Sequence, residues 1–405
     1  MTRRDPLRNP TRREWLALAG AGIGGVLLSG CRRTPEPVAE APFDAPMRFP
    51  GKVPMRVIND RPPCLETPWE YYRHDLTPNE AFYVRWHLQM IPTEVDLRTW
   101  RLHIGGHVDR PLSLSMDELR RMPSTSIVAV NQCSGNSRGL FDPRLPGAQW
   151  GNGGMGNARW TGVRLVELLR RAGVRDGAVE VSFAGLDRAG LASVPDFVKS
   201  LTRRDAERPD VLVAYEMNGE PLPMLNGFPA RLVVPGWFAT YWIKALAEIT
   251  VLDQPYTGFW MREAYRIPDS NNGLERPDQL APRTVPISVM RIRSFITKPT
   301  AGERIPRGQP YVVEGIAFDG GDGIEQVEFL PEETRRESPN ATLGDDLGPY
   351  SFRRWRYEWQ PELPGEHRLR CRATSKSGAT QPSEVGWNRA GYLRNVIEEI
   401  RVEVV

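Results

Sequence analysis

The chain is poor in the residues that build metal cages and disulfide frameworks, with 4 cysteines and 5 histidines among 405 residues. Cys31, Cys64, Cys133 and Cys371 are too few and too scattered for a zinc site or a disulfide scaffold. No Cys-x-x-Cys-His occurs, so the chain carries no covalently attached c-type haem. A surplus of either charge is also missing: 53 basic residues face 50 acidic ones, and nothing in the bulk points to nucleic acid. The N-terminal apolar run, residues 16–28, falls short of the ~20 residues a spanning helix needs. What is present is length for two or three domains with a real core. The 37 glycines and 37 prolines indicate a loop-rich, β-containing protein rather than a helix bundle.

Residues 1–31 read as an export signal. Thr11-Arg12-Arg13-Glu14-Trp15-Leu16 is a twin-arginine sequence, and a glycine-broken apolar run follows it. The expected destination is the periplasm. Leu28-Ser29-Gly30-Cys31 has the small-residue pattern of a lipobox, in which Cys31 would be acylated and anchor the protein to a membrane. The alternative is an ordinary cleavage site that contains a cysteine. Residues 32–55, rich in Pro, Ala and charge, read as a linker. A twin-arginine signal suits a protein that folds around its cofactor before export.

The stretch that organises the rest lies further on. A β-branched run at 126–130 predicts a short buried strand, which continues as Asn131-Gln132-Cys133-Ser134-Gly135-Asn136-Ser137-Arg138. Ser, Gly and Asn after the cysteine favour a tight turn that presents side chains. A lone cysteine is more often buried and inert. Here Arg138 follows, and a second Gly/Asn-rich loop brings Trp150 and Arg159. A cation near a thiol favours the thiolate, the form that binds metal. Residues 81–88 predict another strand, in which Arg85 on its own would be a solvated edge charge. Helices are expected at 115–121 and 165–172, the second capped by Gly173. His103 and His107 flank Gly105-Gly106 in a hairpin, where exposure is the simpler reading.

Cys133-Ser-Gly-Asn-Ser-Arg138, Gly147-Ala-Gln-Trp150 and Gly156-Asn-Ala-Arg159-Trp160-Thr-Gly-Val-Arg164 together resemble the molybdenum loop of the sulfite oxidase family. The likeness is strongest to its bacterial periplasmic branch. The resemblance implies an α+β fold: a molybdopterin-binding catalytic domain at 56–280, then an immunoglobulin-like antiparallel β-sandwich at 283–405. It implies a molybdenum-molybdopterin cofactor with Cys133 as the one protein ligand to the metal. It implies that Arg85, Arg138 and Tyr265 hold a substrate oxyanion, with Trp150 as a pocket wall. For the pterin it implies His87, the backbone of Tyr83 and Val84, Asp187, Asn226, Arg231 and the Trp242-Ile243-Lys244 step. Asn226 stands where many relatives carry histidine.

By the same resemblance the chain oxidises sulfite to sulfate by oxygen-atom transfer and passes electrons singly to a separate c-type cytochrome. The second domain commonly dimerises in that family and contributes an arginine to the substrate entrance. Arg389 and Arg394 are the candidates here. Recurring strand patterns after a polar Asn/Asp/Pro stretch at 268–282 support such a sandwich. The other readings are a sulfane dehydrogenase subunit, a methionine sulfoxide reductase, and a non-catalytic surface binding module. Cys64 and Cys371 are expected as small apolar core residues.

Overall fold

A computed structural model describes residues 47–270, 272–332 and 339–405. The twin-arginine sequence, the lipobox at Cys31 and the linker up to residue 46 lie outside the described residues. Strands dominate, and the helices are short.

The first half of the fold is built on two five-stranded sheets. One runs Glu220–Pro221, Leu212–Met217, Met155–Arg164, Ser124–Gln132, with Arg231–Val233 pairing onto Leu212–Met217. The other runs Leu112–Leu114, Leu102–Gly106, Leu246–Leu252, Glu180–Gly185, Val198–Thr202. The strand read at 126–130 is longer than its β-branched run, because Ser124–Gln132 pairs along its whole length with Met155–Arg164. Its last five residues are buried, as a strand covered on both faces must be.

The helix Leu165–Ala172 forms as expected. Leu165, Leu168, Leu169 and Ala172 fall on one face and are buried, while Arg170 and Arg171 suit the negative end of the helix dipole. Gly173 closes it in the left-handed conformation, φ 68°, where a side chain would be strained. The 115–121 helix is Met116–Arg120, started by a capping box in which Ser115 and Glu118 exchange hydrogen bonds. His103 is exposed; His107 is half-buried, and its ring nitrogen lies 2.7 Å from the Asp176 carbonyl oxygen.

The strand read at 81–88 is the largest departure. Only Val84–Arg85 pairs, in a small sheet with Cys64–Glu66 and Arg56–Asn59. On either side the chain bends to serve the pocket described below.

From Arg293 onward two four-stranded sheets face each other as a β-sandwich. One is Arg293–Lys298, Tyr311–Phe318, Arg353–Trp359, Thr342–Leu343; the other is Arg304–Ile305, Glu399–Val404, Gly365–Ser375, Ile324–Pro331. Their inner faces share one apolar core that includes Val313, Trp355, Phe329, Leu369 and Cys371. A further buried cluster joins the sandwich to the cysteine-bearing strand through Val130, Met155, Phe238, Phe295, Phe318, Tyr392 and Leu393. The Val130 N–H donates to the Tyr350 carbonyl (2.9 Å), so the sandwich also touches that strand's backbone.

Candidate active site

Cys133 emerges at the end of the Ser124–Gln132 strand, where its N–H donates to the Gly154 carbonyl (2.9 Å) and its carbonyl accepts from Asn136 N (3.0 Å). This local turn leaves the thiol at the wall of a narrow cavity with about 10 Å³ open to water. The cavity is lined by Tyr83, Arg85, His87, Cys133, Ser134, Ala239, Thr240, Lys244 and Tyr265. Arg85 and His87 also line an open groove of about 550 Å³ that carries Arg56 and Arg144, so the pocket opens toward a basic rim.

Arg85, His87, Lys244 and Tyr265 stay partly exposed in this otherwise buried setting. Burial works against charge on Arg85, yet the neighbouring Tyr265 oxygen and the thiols of Cys64 and Cys133 hold its pKa above the ordinary value. It remains a fixed cation, as guanidinium does. His87 is pushed well below the usual imidazole range by burial and then by Arg85, Lys244 and Lys199, so it is neutral. Its Nε2 lies 2.5 Å from the Tyr265 hydroxyl, and its ring stacks on Phe197 at 3.7 Å. With Arg85 beside the phenol oxygen, the Tyr265 proton points to His87. Burial raises the Tyr265 pKa, so the phenol stays protonated. Tyr265 itself is held at φ 58°, a conformation that costs a non-glycine residue about 1–3 kcal/mol.

Arg138 lies outside the cavity lining. Its Nε donates to the Ala390 carbonyl (3.0 Å) and its guanidinium sits 5.0 Å from the Tyr392 ring centre. Tyr392 in turn stacks parallel to Tyr265, centroids 6.0 Å apart. Gly135 and Gly147 make room for this guanidinium: a Cβ on either would come within 3.0 Å of Nη1.

Several expected residues have their polar atoms engaged within the protein, and most of them lie behind the cavity lining. Trp150 is fully buried and meets Tyr83 edge-on at 6.2 Å, so it backs a lining residue and forms no wall. Asn226 has both ends of its amide in use, accepting from Lys52 Nζ (2.6 Å) and donating to the Tyr83 carbonyl (3.0 Å). The Tyr83 backbone is thereby engaged, since its N–H donates to Thr67 Oγ1 (3.0 Å); Val84 is buried in the ladder opposite Leu65. Trp242 packs its ring on Trp160 and gives its Nε1–H to the Trp237 carbonyl; the Ile243 carbonyl accepts from Leu232 N. Of that step only Lys244 reaches the cavity.

Arg231 is buried and shared between the Asn226 carbonyl and Asn131 Oδ1, both at 3.0 Å. Asp187 is buried near Lys244, and burial pushes its carboxyl up to about 6. Neither C-terminal candidate lines the cavity. Arg389 is bound to Glu275 on the surface, and Arg394 to Glu398.

Three residues at the site carried no local signal. Cys64, expected as a core residue, is buried but accepts from Arg85 Nη1 at 3.6 Å. Tyr392 packs between Arg138 and Tyr265. Lys199 is fully buried, donates to the Trp260 carbonyl (2.6 Å), and lies 5.5 Å from the Tyr265 ring centre. A charge at an inward position of the Val198–Thr202 strand was its only cue.

The pocket suits an anionic, polar ligand. Its lining has two cations and no carboxylate. Lys244 forms no ion pair among the described residues; burial, then Arg231, pulls its pKa down to about 7, a cost that an anion would relieve. In the lining Ser134 Oγ and Thr240 Oγ1, and elsewhere Asn131 Nδ2 and Arg231 Nε, are buried without a hydrogen-bond partner among the described residues, although such atoms rarely go unpaired. A pterin edge and its phosphate would supply the missing partners, and the Cys133 thiol a soft ligand for the metal.

Residues 87–260 match the sequence profile of the oxidoreductase molybdopterin-binding domain. The fold and pocket define a molybdopterin oxidoreductase, whose cofactor is molybdenum-molybdopterin. The chain is 31% identical to the mitochondrial sulfite oxidase of Rattus norvegicus over 92% of its length and 70% of the relative's. It is 33% identical to the sulfite oxidase of Gallus gallus over 88% of its length and 79% of the relative's. Its structure matches the sulfane dehydrogenase SoxCD from Paracoccus pantotrophus with TM-score 0.73 at 25% identity, covering 95% of this chain and 94% of that one. The chain belongs to the sulfite oxidase family.

Proposed function

We propose that the protein is an exported sulfite dehydrogenase that oxidises sulfite to sulfate and gives its electrons to a separate c-type cytochrome. One observation carries the reading: Arg85 and Tyr265 stand with Cys133 in the lining of one cavity, and Arg138 is linked to Tyr265 through the Tyr392 ring. Sulfite is a small oxyanion, and fixed guanidinium donors without competing carboxylates suit it.

In this reading Cys133 ligates the molybdenum, while Lys244, Ser134 and Thr240 hold the pterin side of the cofactor, with Arg231 and Asp187 behind them. Bound molybdenum-molybdopterin supplies the oxygen-atom transfer and the two-electron redox step. The chain's own residues do the placing. Arg85 binds one oxygen of the anion, and Arg138 closes the opposite side. His87, being neutral, adds no charge; it fixes the Tyr265 hydroxyl, which turns its oxygen toward Arg85. Tyr392 and Tyr265, stacked, keep bulk water from the arginine pair. Such preorganised charge is the usual source of rate in a site of this kind.

Export by the twin-arginine route, periplasmic residence, a lipid anchor at Cys31 and a homodimer through the β-sandwich complete the proposal. The test is steady-state reduction of a c-type cytochrome by purified, molybdenum-loaded protein with sulfite, with molybdenum and pterin measured on the same sample. Sulfite turnover with about one molybdenum per chain supports the reading. Stoichiometric molybdenum with turnover only on thiosulfate-derived sulfur would move it to the second reading, a sulfane dehydrogenase subunit, which the whole-length match to SoxCD favours. Oxygen transfer only from a sulfoxide would instead favour the reductase, and protein without molybdenum the binding module.

A further inference from the structure

The geometry points to Arg293 and Glu398, in and beside the β-sandwich, as positioning residues for Arg138. This rests on the reading of Arg138 as an anion-binding residue.

Arg293 begins the Arg293–Lys298 strand, and its side chain is 2% exposed. Its Nη2 donates to Glu398 Oε1 (2.7 Å) and to Ser137 Oγ (3.0 Å), and lies 3.4 Å from Asn152 Oδ1. Glu398 also receives Arg394 Nη1 (2.5 Å) and the Asn152 amide. Ser137 Oγ donates to Asn152 Oδ1 (2.5 Å), and Ser137 N to the Gly151 carbonyl (2.7 Å). Ser137 is therefore held from two sides, by the loop that follows Trp150 and by the sandwich.

What is held is a strained residue. Ser137 has φ 71°, a left-handed conformation that strains a residue with a side chain. It immediately precedes Arg138, so its backbone angle sets the direction in which Arg138 leaves the chain. The Arg138 side chain then meets the Ala390 carbonyl and the Tyr392 ring. Ala390, Tyr392, Arg394 and Glu398 lie on one C-terminal segment. That segment thus holds the arginine at its tip and, through Arg293, at its root.

The network is an expensive way to fill space. Two guanidiniums share one carboxylate, and Arg293 Nε, Arg293 Nη1 and Arg394 Nε are buried without partners. Burial pulls Arg293 down to about 10. Apolar side chains often fill such volume at no loss of stability, whereas buried charge can fix register. The register fixed here is that of the cysteine loop.

The test uses the holoenzyme. Arg293→Met is expected to raise KM for sulfite about tenfold, with kcat within about twofold of wild type. Sulfate affinity, read by calorimetry without turnover, should fall by the same factor, and molybdenum content should hold. Arg293→Lys should recover most of both. KM and sulfate affinity unchanged in Arg293→Met, or a fall in kcat with KM unchanged, would overturn the proposal. Should Arg293→Met fail to fold, Ser137→Ala, which removes only the hydroxyl that receives Arg293, is read by the same two outcomes. Wild type that binds sulfate but does not oxidise sulfite would sink the functional reading, and the sulfate comparison would still decide the positioning role.

Discussion

Cys133 and Cys371 are both buried, both near serines, and chemically opposite in setting. Cys371 sits mid-strand in the sandwich core, with Ser294 Oγ 3.2 Å away and apolar side chains elsewhere. Burial pushes its thiol up to about 12, which makes it an inert small apolar group. Cys133 sits where a strand has ended, in a cavity lined by Arg85 and Lys244. The backbone shows the same contrast. Of the five non-glycine residues with positive φ among the described residues, Ser137, Ala245, Tyr265 and Leu393 are pocket residues or adjoin Arg138, Lys244 or Tyr392. Regular sandwich strands contain none of them. Backbone strain at non-glycine residues is concentrated around the pocket, where a ligand can offset it.

The contrast breaks most sharply at the thiols. Cys133→Ser should keep the fold, seen as unchanged far-ultraviolet circular dichroism, while turnover drops by more than about 100-fold. Wild-type turnover in this variant would end its assignment as the metal's ligand. Arg85→Gln comes next: loss of a fixed cation beside the anion should cost about 2–4 kcal/mol, or ~30- to 1000-fold in kcat/KM. A loss below about threefold would mean that Arg85 does not face the substrate.

Lys199 sharpens the comparison through pH. Burial, then Arg266, pulls its pKa from 10.5 down to about 7. Below pH 7 it is charged in both folded and unfolded chains, and the full cost of burying the charge is present. Between pH 7 and 10.5 the unfolded chain binds a proton that the folded chain does not, so stability rises with pH. Lys199→Met removes this contribution. Its stability relative to wild type should therefore fall by about 1–3 kcal/mol between pH 7 and pH 9 in urea unfolding. An equal difference at both pH values would show that Lys199 keeps its proton in the folded state.

These residues also show what could be read in advance. The helix Leu165–Ala172 was legible to its last residue, because its apolar period and its glycine cap are both local. The sandwich was legible from its recurring strand patterns. The residue set around Cys133 was legible only through a long motif shared with a family. Partnerships across the chain were not. His87 meets Tyr265 across 178 positions, and Arg293 meets Ser137 across 156. No local periodicity encodes such pairs. The same limit explains Asn226 and Trp150: a motif shows that a residue belongs near a site, while its hydrogen bonds show which way it faces.

Cys371→Ala is the smallest perturbation and the control for the rest. The sulfur fills space beside Phe329, Leu369 and Ala373 in a core closed on all sides, and its one polar contact is a weak one. Its removal leaves a void of about one atom, worth roughly 1 kcal/mol of stability. The substitution is remote from the pocket lining, so kcat and KM should both hold within about twofold, because perturbations that share no partners act independently. A change in KM would mean that the sandwich core is coupled to the pocket through Ser294 and its neighbour Arg293, and the two regions would then have to be treated as one.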